Sequence, residues 1–239
     1  MGRTHRSAAV VGQGYRPAPA RWDLSWLARN RDYNKTGNIP APASHEEAVR
    51  RLAQRNQRWV DGTRTLSPQL ITGLLQWSGE QLNAYLGTVD LSHPSSVYWA
   101  GEVPLWFDLA REFTERWVHY QQIREAARPA AGDHEQDGYL PLVLRTFIWG
   151  FPHQYQAPAP AGTTIAIEIA GIGAWMLTRT ATGWTLDEGQ AAAPAASLQM
   201  TGEAAWRLLT GARHDTRQVQ PSGNRALTEP LLQVRGIIV

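Results

Sequence analysis

Apolar side chains recur at every third or fourth position through one stretch of this chain, and that spacing constrains the fold more than any other feature. The apolar positions are Trp106, Leu109, Phe113, Trp117, Tyr120 and Ile123. Residues spaced in this way lie on one face of an α-helix. The pattern therefore predicts a helix over about residues 104–127 that packs this face against a core.

A second, polar stripe follows similar helical spacing through the same stretch. It consists of Asp108, Glu112, Glu115, His119 and Gln122. A solvent-facing stripe usually mixes acids with Lys and Arg, but this one contains neither, although arginines lie beside it. The absence of basic residues suggests an inward-facing polar site, whereas the spacing alone favours an ordinary solvated helix face.

Two members of the polar stripe carry groups that bind metal ions. Glu115 and His119 are four residues apart, so their side chains lie one above the other on a helix. A carboxylate and an imidazole in this arrangement can hold one divalent metal ion from a single element. The alternative is an i,i+4 pair at the surface, which is common on exposed helices.

Helix start signals mark further helices in the first half of the chain. Ser44 and Glu47 have capping-box spacing, and Ser67–Pro68 combines an N-cap residue with Pro at the first helical position. These signals predict helices over about residues 44–64 and 67–86. A short helix is also predicted from Asp23, and another over about residues 140–150.

The pattern changes to strands after residue 162. Alternating, β-branched runs predict strands at Thr163–Gly171, Ala174–Thr180, Gly183–Asp187 and Ala195–Met200. Thr201 is then a plausible N-cap for a short helix. Helices first and strands afterwards predict an α+β chain with two domains.

The sequence therefore predicts four segments. They are an irregular tail at 1–22, a helical bundle at 23–155, a linker at 156–162 that is rich in Pro, Ala and Gly, and a small α+β domain at 163–239.

The composition of the chain excludes several kinds of chemistry and of partner. The 239 residues include no Cys, which excludes disulfides and a cysteine nucleophile, so any thiol chemistry must use an external thiol. The 23 basic and 21 acidic residues form no basic stripe, so no nucleic-acid partner is expected. No apolar run approaches the roughly 20 residues that span a bilayer, so no membrane partner is expected and the chain is predicted to be cytoplasmic.

Several stretches, taken in order, resemble one protein family. They are DLSWLARNRDY (Asp23–Tyr33), RNQRWVDGTRTLSPQLITGLLQWSGEQLNAYL (Arg55–Leu86), REFTERWVHYQQIREA (Arg111–Ala126), TGEAAWRLLTG (Thr201–Gly211) and GNRALTEPLL (Gly223–Leu232). The chain from about Asp23 onward resembles the DinB-like proteins of actinobacteria, and more closely the mycothiol-dependent maleylpyruvate isomerase-like family. The resemblance implies a DinB-like helical bundle followed by a sterol-carrier-like α+β domain.

The resemblance also implies a divalent metal, with zinc as the first choice, held by three side chains. Glu115 and His119 match two of these ligands, and the third is a His expected just upstream of Asp23. This chain has Arg16–Arg21 there, with two prolines and no His. The first helix of the bundle is therefore predicted to be lost or replaced.

The activity implied by the resemblance is a metal-dependent and mycothiol-dependent isomerase or S-transferase. The metal would bind mycothiol and make its thiolate available for addition to a small-molecule substrate. Arg225 is predicted to be the catalytic arginine that holds an acidic substrate, and Arg207 is the second choice. The alternative is a catalytically degenerate protein without metal that binds a small apolar or acidic molecule, or forms a homodimer.

Overall fold

The computed structural model of the chain describes residues 18–32, 43–97, 101–127, 138–190 and 192–236. These residues cluster into two compact units. The first unit contains the described residues up to 94 together with 119–127, and the second contains the others.

The first unit contains helices α1 (Ala18–Asn30), α2 (His45–Thr63) and α3 (Pro68–Leu86). The hydroxyl of Ser44 accepts a hydrogen bond from the backbone N–H of Glu47 at 3.2 Å. The hydroxyl of Ser67 does the same for the backbone N–H of Leu70 at 3.3 Å. Both predicted helix starts are therefore confirmed, because each N-cap supplies an acceptor to the unpaired first turn.

Helix α1 begins earlier than the sequence pattern predicts. Residues 1–22 were expected to be irregular, with a helix from Asp23, but α1 begins at Ala18. Pro19 lies in its first turn, where the missing N–H has no intrahelical partner to lose. Pro19 thus restricts where the helix starts and does not prevent it.

A buried polar contact joins α1 to α3. The hydroxyl of Ser78 donates to Oδ2 of Asp23 at 2.9 Å, and both residues are fully buried. Trp26 of α1 packs edge-on against Tyr85 of α3, with ring centroids 5.5 Å apart. This pairing gives the first unit a small mixed core.

The second unit opens with a short hairpin and a long helix. Strands β1 (Pro94–Val97) and β2 (Gly101–Pro104) pair, where a loop was expected from Gly87 to Gly101. Helix α4 (Leu105–Ala127) follows directly and confirms the predicted helix. The predicted packing of its apolar stripe is only partly correct, because Trp117 is buried whereas Trp106 is 49% and Tyr120 55% exposed. Its residues 105–118 belong to the second unit.

The second unit also contains a five-stranded sheet in the order β5-β4-β3-β6-β7. The strands are β3 (Thr164–Ile169), β4 (Gly173–Arg179), β5 (Trp184–Glu188), β6 (Ala196–Met200) and β7 (Val219–Gly223). Neighbouring strands are antiparallel except β3 and β6, which are parallel. Strands β3 to β6 confirm the prediction, whereas β7 was not predicted.

Helices cover one face of this sheet. They are α5 (Leu140–Phe147), α6 (Phe151–Gln154), α7 (Gly202–Leu209) and α8 (Arg225–Leu231), with short 3-10 turns at Ile148–Gly150 and Thr216–Gln218. Alternate residues of β3 are buried, as period-2 strands require, and they share one core with α5 and α7. Helices followed by a sheet agree with the predicted α+β class.

The predicted linker lies inside the second unit. The backbone carbonyl of Ala157 is buried and accepts from the indole N–H of Trp184 at 3.2 Å. The buried hydroxyl of Tyr155 donates to the carbonyl of Leu227 at 2.8 Å. These contacts place residues 155 and 157 in the core of the unit, and the division between units falls elsewhere in the chain.

Candidate functional site

Three carboxylates of the polar stripe on α4 share one arginine. Arg111 donates from Nη2 to Glu112 at 2.7 Å and from Nη1 to Glu115 at 2.5 Å, and its Nε lies 3.3 Å from Oδ1 of Asp108. The hydroxyl of Ser95 lies 3.3 Å from the other carboxylate oxygen of Asp108. Arg111, Asp108, Glu112 and Glu115 are called the Arg111 cluster below.

Much of the Arg111 cluster is shielded from solvent. The exposed fraction of the side chain is 17% for Arg111, 12% for Asp108, 8% for Glu112 and 33% for Glu115. These values confirm the inward-facing interpretation of the polar stripe for Asp108 and Glu112. Ionic groups in such a place need partners, and the shared guanidinium supplies them.

Glu112 is the most perturbed member of the cluster. Burial raises its pKa to about 8, the negative charge of Glu115 adds to this, and the cations Arg111 and Arg116 oppose it. Near neutral pH the Glu112 carboxyl is therefore largely protonated.

His119 is anchored through its own helical turn. Its Nδ1 lies 3.0 Å from the side-chain carbonyl oxygen of Gln122. A carbonyl oxygen only accepts, so this contact is a hydrogen bond when Nδ1 carries a proton. Such an arrangement is typical of a histidine whose ring orientation is held by a neighbour.

Glu115 does not fit a metal ion in the way that the resemblance implies. Its carboxylate already accepts from a guanidinium that stays charged at every physiological pH, so a metal ion there would lie beside a permanent cation. Among the residues that the structure describes, no three His, Asp or Glu side chains are placed to hold one ion. His5 lies outside the described residues. Metal binding by Glu115 and His119 stays a prediction.

A cavity of about 750 Å³ opens in the second unit beside α8 and is called the C-terminal cavity below. Its polar lining consists of the amides of Gln154, Gln156 and Gln233 and the carboxylate of Glu229. Apolar side chains such as Leu232 and Val234 supply the rest. A cavity of this size with apolar walls and a few polar groups suits a small organic molecule.

Gln154 shapes one wall of this cavity. Its Oε1 accepts from the backbone N–H of Arg235 at 2.9 Å, and its Nε2 donates to the carbonyl of Gly236 at 3.4 Å. One side chain of α6 therefore holds the chain segment that follows α8. This tie helps to keep the cavity formed.

The two candidate arginines differ in their surroundings. Arg225 is the first residue of α8, its side chain is 87% exposed, and its Nε donates to Glu229 at 2.6 Å. Glu229, the partner of Arg225, lines the C-terminal cavity, whereas Arg225 itself is not one of the lining residues. Arg207 donates to Glu203 at 2.5 Å and lies 4.4 Å from the ring centroid of Trp206. A catalytic role for Arg225 stays a prediction.

Sequence reasoning missed the part that Arg111 plays. Arg111 was noted only as lying beside the polar stripe, yet its distances in sequence to Asp108 and Glu115 are three and four. These are the spacings at which side chains pair on a helix, so the signal was present. The C-terminal cavity left no such signal, because its lining comes from two distant parts of the chain.

Comparisons with known proteins add a distant structural similarity. No family model matches the chain, and no curated protein matches it. Among solved structures, the chain is similar to a mycothiol-dependent maleylpyruvate isomerase, with 15% sequence identity and a TM-score of 0.47. The match covers 91% of this chain and 77% of the other.

Proposed function

We propose that this chain is a small-molecule-binding protein that takes its ligand into the C-terminal cavity without a metal ion. The observation that supports the proposal is the C-terminal cavity of about 750 Å³ in the second unit, whose lining combines apolar side chains with three amides and one carboxylate. A small apolar or acidic molecule suits this lining, because its apolar part replaces water and its polar part meets the amides.

Arg225 is proposed to select the acidic part of the ligand. Its Nε is engaged by Glu229, and the guanidinium carries further N–H donors on its two η nitrogens. A ligand carboxylate near Arg225 would receive these donors in a charge-assisted pair. The cavity walls would hold the rest of the molecule.

The proposal is tested by calorimetric titration with short aliphatic carboxylic acids and their dicarboxylic analogues. Arg225→Gln is expected to weaken the best acid roughly tenfold, as expected for one exposed charge-assisted contact. Arg217→Gln is the matched control, because Arg217 is 88% exposed and paired with Asp215 but its pair lines no part of this cavity. Equal affinities in both variants would reject the role of Arg225.

A second pair of variants tests the cavity itself. Gln233→Trp places a large side chain in the cavity lining and is expected to abolish binding. Gln220→Trp, on the exposed surface of β7, is the control and is expected to bind as the unchanged protein does. Binding that survives Gln233→Trp would place the ligand elsewhere.

A metal-dependent and mycothiol-dependent isomerase or S-transferase is the second candidate. The ring of His119 favours it, because its Nδ1 lies 3.0 Å from the side-chain oxygen of Gln122, and metal-binding histidines are typically oriented by such a neighbour. The test is turnover of an electrophilic unsaturated dicarboxylate in the presence of mycothiol. Turnover that is lost in His119→Ala but kept in His214→Ala, a half-buried control in the second unit, would establish this candidate. Absence of thiol-dependent turnover would reject it.

Self-association and cellular location stay predictions. Leu70 and Trp77, seven residues apart on α3, are 62% and 47% exposed. An exposed apolar face of this kind favours association. A light-scattering mass of two chains that falls to one chain in Leu70→Glu would support a homodimer.

A further inference from the structure

We infer that Arg111 is the resident cation of helix α4: its guanidinium takes the carboxylates that would otherwise attract a divalent metal ion. The inference concerns α4 alone and does not depend on ligand binding in the C-terminal cavity. On this inference, the carboxylates of the polar stripe on α4 bind an arginine and not a metal ion.

The contacts of Arg111 support this role. Three N–H groups point to three different carboxylates, at 2.5 Å to Glu115, 2.7 Å to Glu112 and 3.3 Å to Asp108. A planar guanidinium with its fixed fork of donors satisfies several acceptors at once, which a single ammonium group does not. The cluster therefore has the partners that buried acids need.

The geometry also explains why Arg111 would exclude a metal ion. A divalent ion bound to Glu115 would lie within a few ångströms of the guanidinium, and two cations at that distance repel in a partly buried site. Moving Arg111 away would leave Asp108, with a side chain only 12% exposed, without its cation. The repulsion between the two cations and the loss of the partner of Asp108 both oppose metal binding by the unchanged chain.

Replacing Arg111 by Met should therefore open α4 to divalent cations. Oxygen ligands favour Mn²⁺, so the probe is MnCl₂ and the readout is the thermal midpoint of unfolding. The midpoint of Arg111→Met is expected to rise with the Mn²⁺ concentration, and that of the unchanged protein is not. The rise should disappear when Glu115→Gln is added to Arg111→Met.

Arg111→Lys is the matched control, because it keeps the positive charge and is expected to show no response to Mn²⁺. An equal rise in Arg111→Lys and Arg111→Met, or no rise in Arg111→Met, would overturn the inference. So would a Mn²⁺ response of the unchanged protein that Glu115→Gln removes.

If Arg111→Met does not fold, the single variant Glu115→Gln tests the inference. The inference expects this variant to unfold at a lower temperature, because Arg111 loses the negative charge of one acceptor, and to show the same lack of response to zinc and Mn²⁺ as the unchanged protein. Loss of a bound ion in Glu115→Gln would show that Glu115 is a metal ligand and would overturn the inference.

Discussion

Replacing Arg111 by Met removes the cation shared by three carboxylates on α4 while keeping most of the side chain's length. Removing one partner of a buried ion pair costs about 3–5 kcal/mol, because the remaining charge is left in a poorly solvated place. The stranded charge here is chiefly Asp108, whose side chain is 12% exposed.

The other two carboxylates contribute less to this cost. Glu115 is 33% exposed, so water screens its charge after the substitution. Glu112, with its pKa raised to about 8 by burial and then by the charge of Glu115, is largely neutral at pH 7. The free energy of unfolding is therefore expected to fall by about 3 kcal/mol, the lower end of the range for buried pairs.

Urea unfolding at pH 7, followed by circular dichroism, measures this loss. Arg225→Met is the matched control, because Arg225 also pairs with a glutamate four residues away but is 87% exposed. This control is expected to change stability by less than about 0.5 kcal/mol. A loss in Arg111→Met no larger than that of the control would refute the reasoning from burial.

Three further predictions concern other contacts of the second unit. In the folded protein the pKa of Glu112 is raised to about 8, whereas in the unfolded chain Glu112 releases its proton near the ordinary pKa of a glutamate. The free energy of unfolding should therefore fall as the pH rises from about 5 to 8. Glu112→Gln should flatten that slope, as seen in urea unfolding at several pH values. Tyr155→Phe removes the buried hydroxyl that donates to the carbonyl of Leu227 and should lower the free energy of unfolding by about 1 kcal/mol, measured by urea titration. Thr201→Ala removes the N-cap of α7 and should cost about 1 kcal/mol in thermal unfolding, with Thr201→Ser restoring most of it.

Local signals in the sequence predicted much of the fold. Ser44, Ser67 and Thr201 each cap a helix as expected, because an N-cap acts within three residues of itself. The strands β3 to β6 follow from alternation, which the burial of β3 shows directly.

Features that depend on distant parts of the chain were harder to predict. Strand β7 contains Pro221 and ends at Gly223, residues that usually argue against a strand, but its edge position tolerates both. Within the predicted linker at 156–162, Ala157 is buried because its carbonyl accepts from Trp184, a contact across 27 residues. Such pairings have no signature in local spacing.

The candidate site was predicted only in part. Helical spacing correctly indicated a polar stripe on α4 that faces inward at Asp108 and Glu112. It did not show which cation satisfies that stripe, because burial and competing partners are properties of the folded chain. The resemblance suggested a metal ion, whereas the contacts of Glu115 point to Arg111.

Metal content tests the central claim most directly, namely that α4 holds an arginine and the chain works without a metal ion. The protein should be purified without chelator or a histidine tag and analysed by inductively coupled plasma mass spectrometry, beside His119→Ala. The account predicts no stoichiometric divalent ion in either protein, also after incubation with zinc. One divalent ion per chain that is lost in His119→Ala would contradict it and would restore the metal-dependent enzyme.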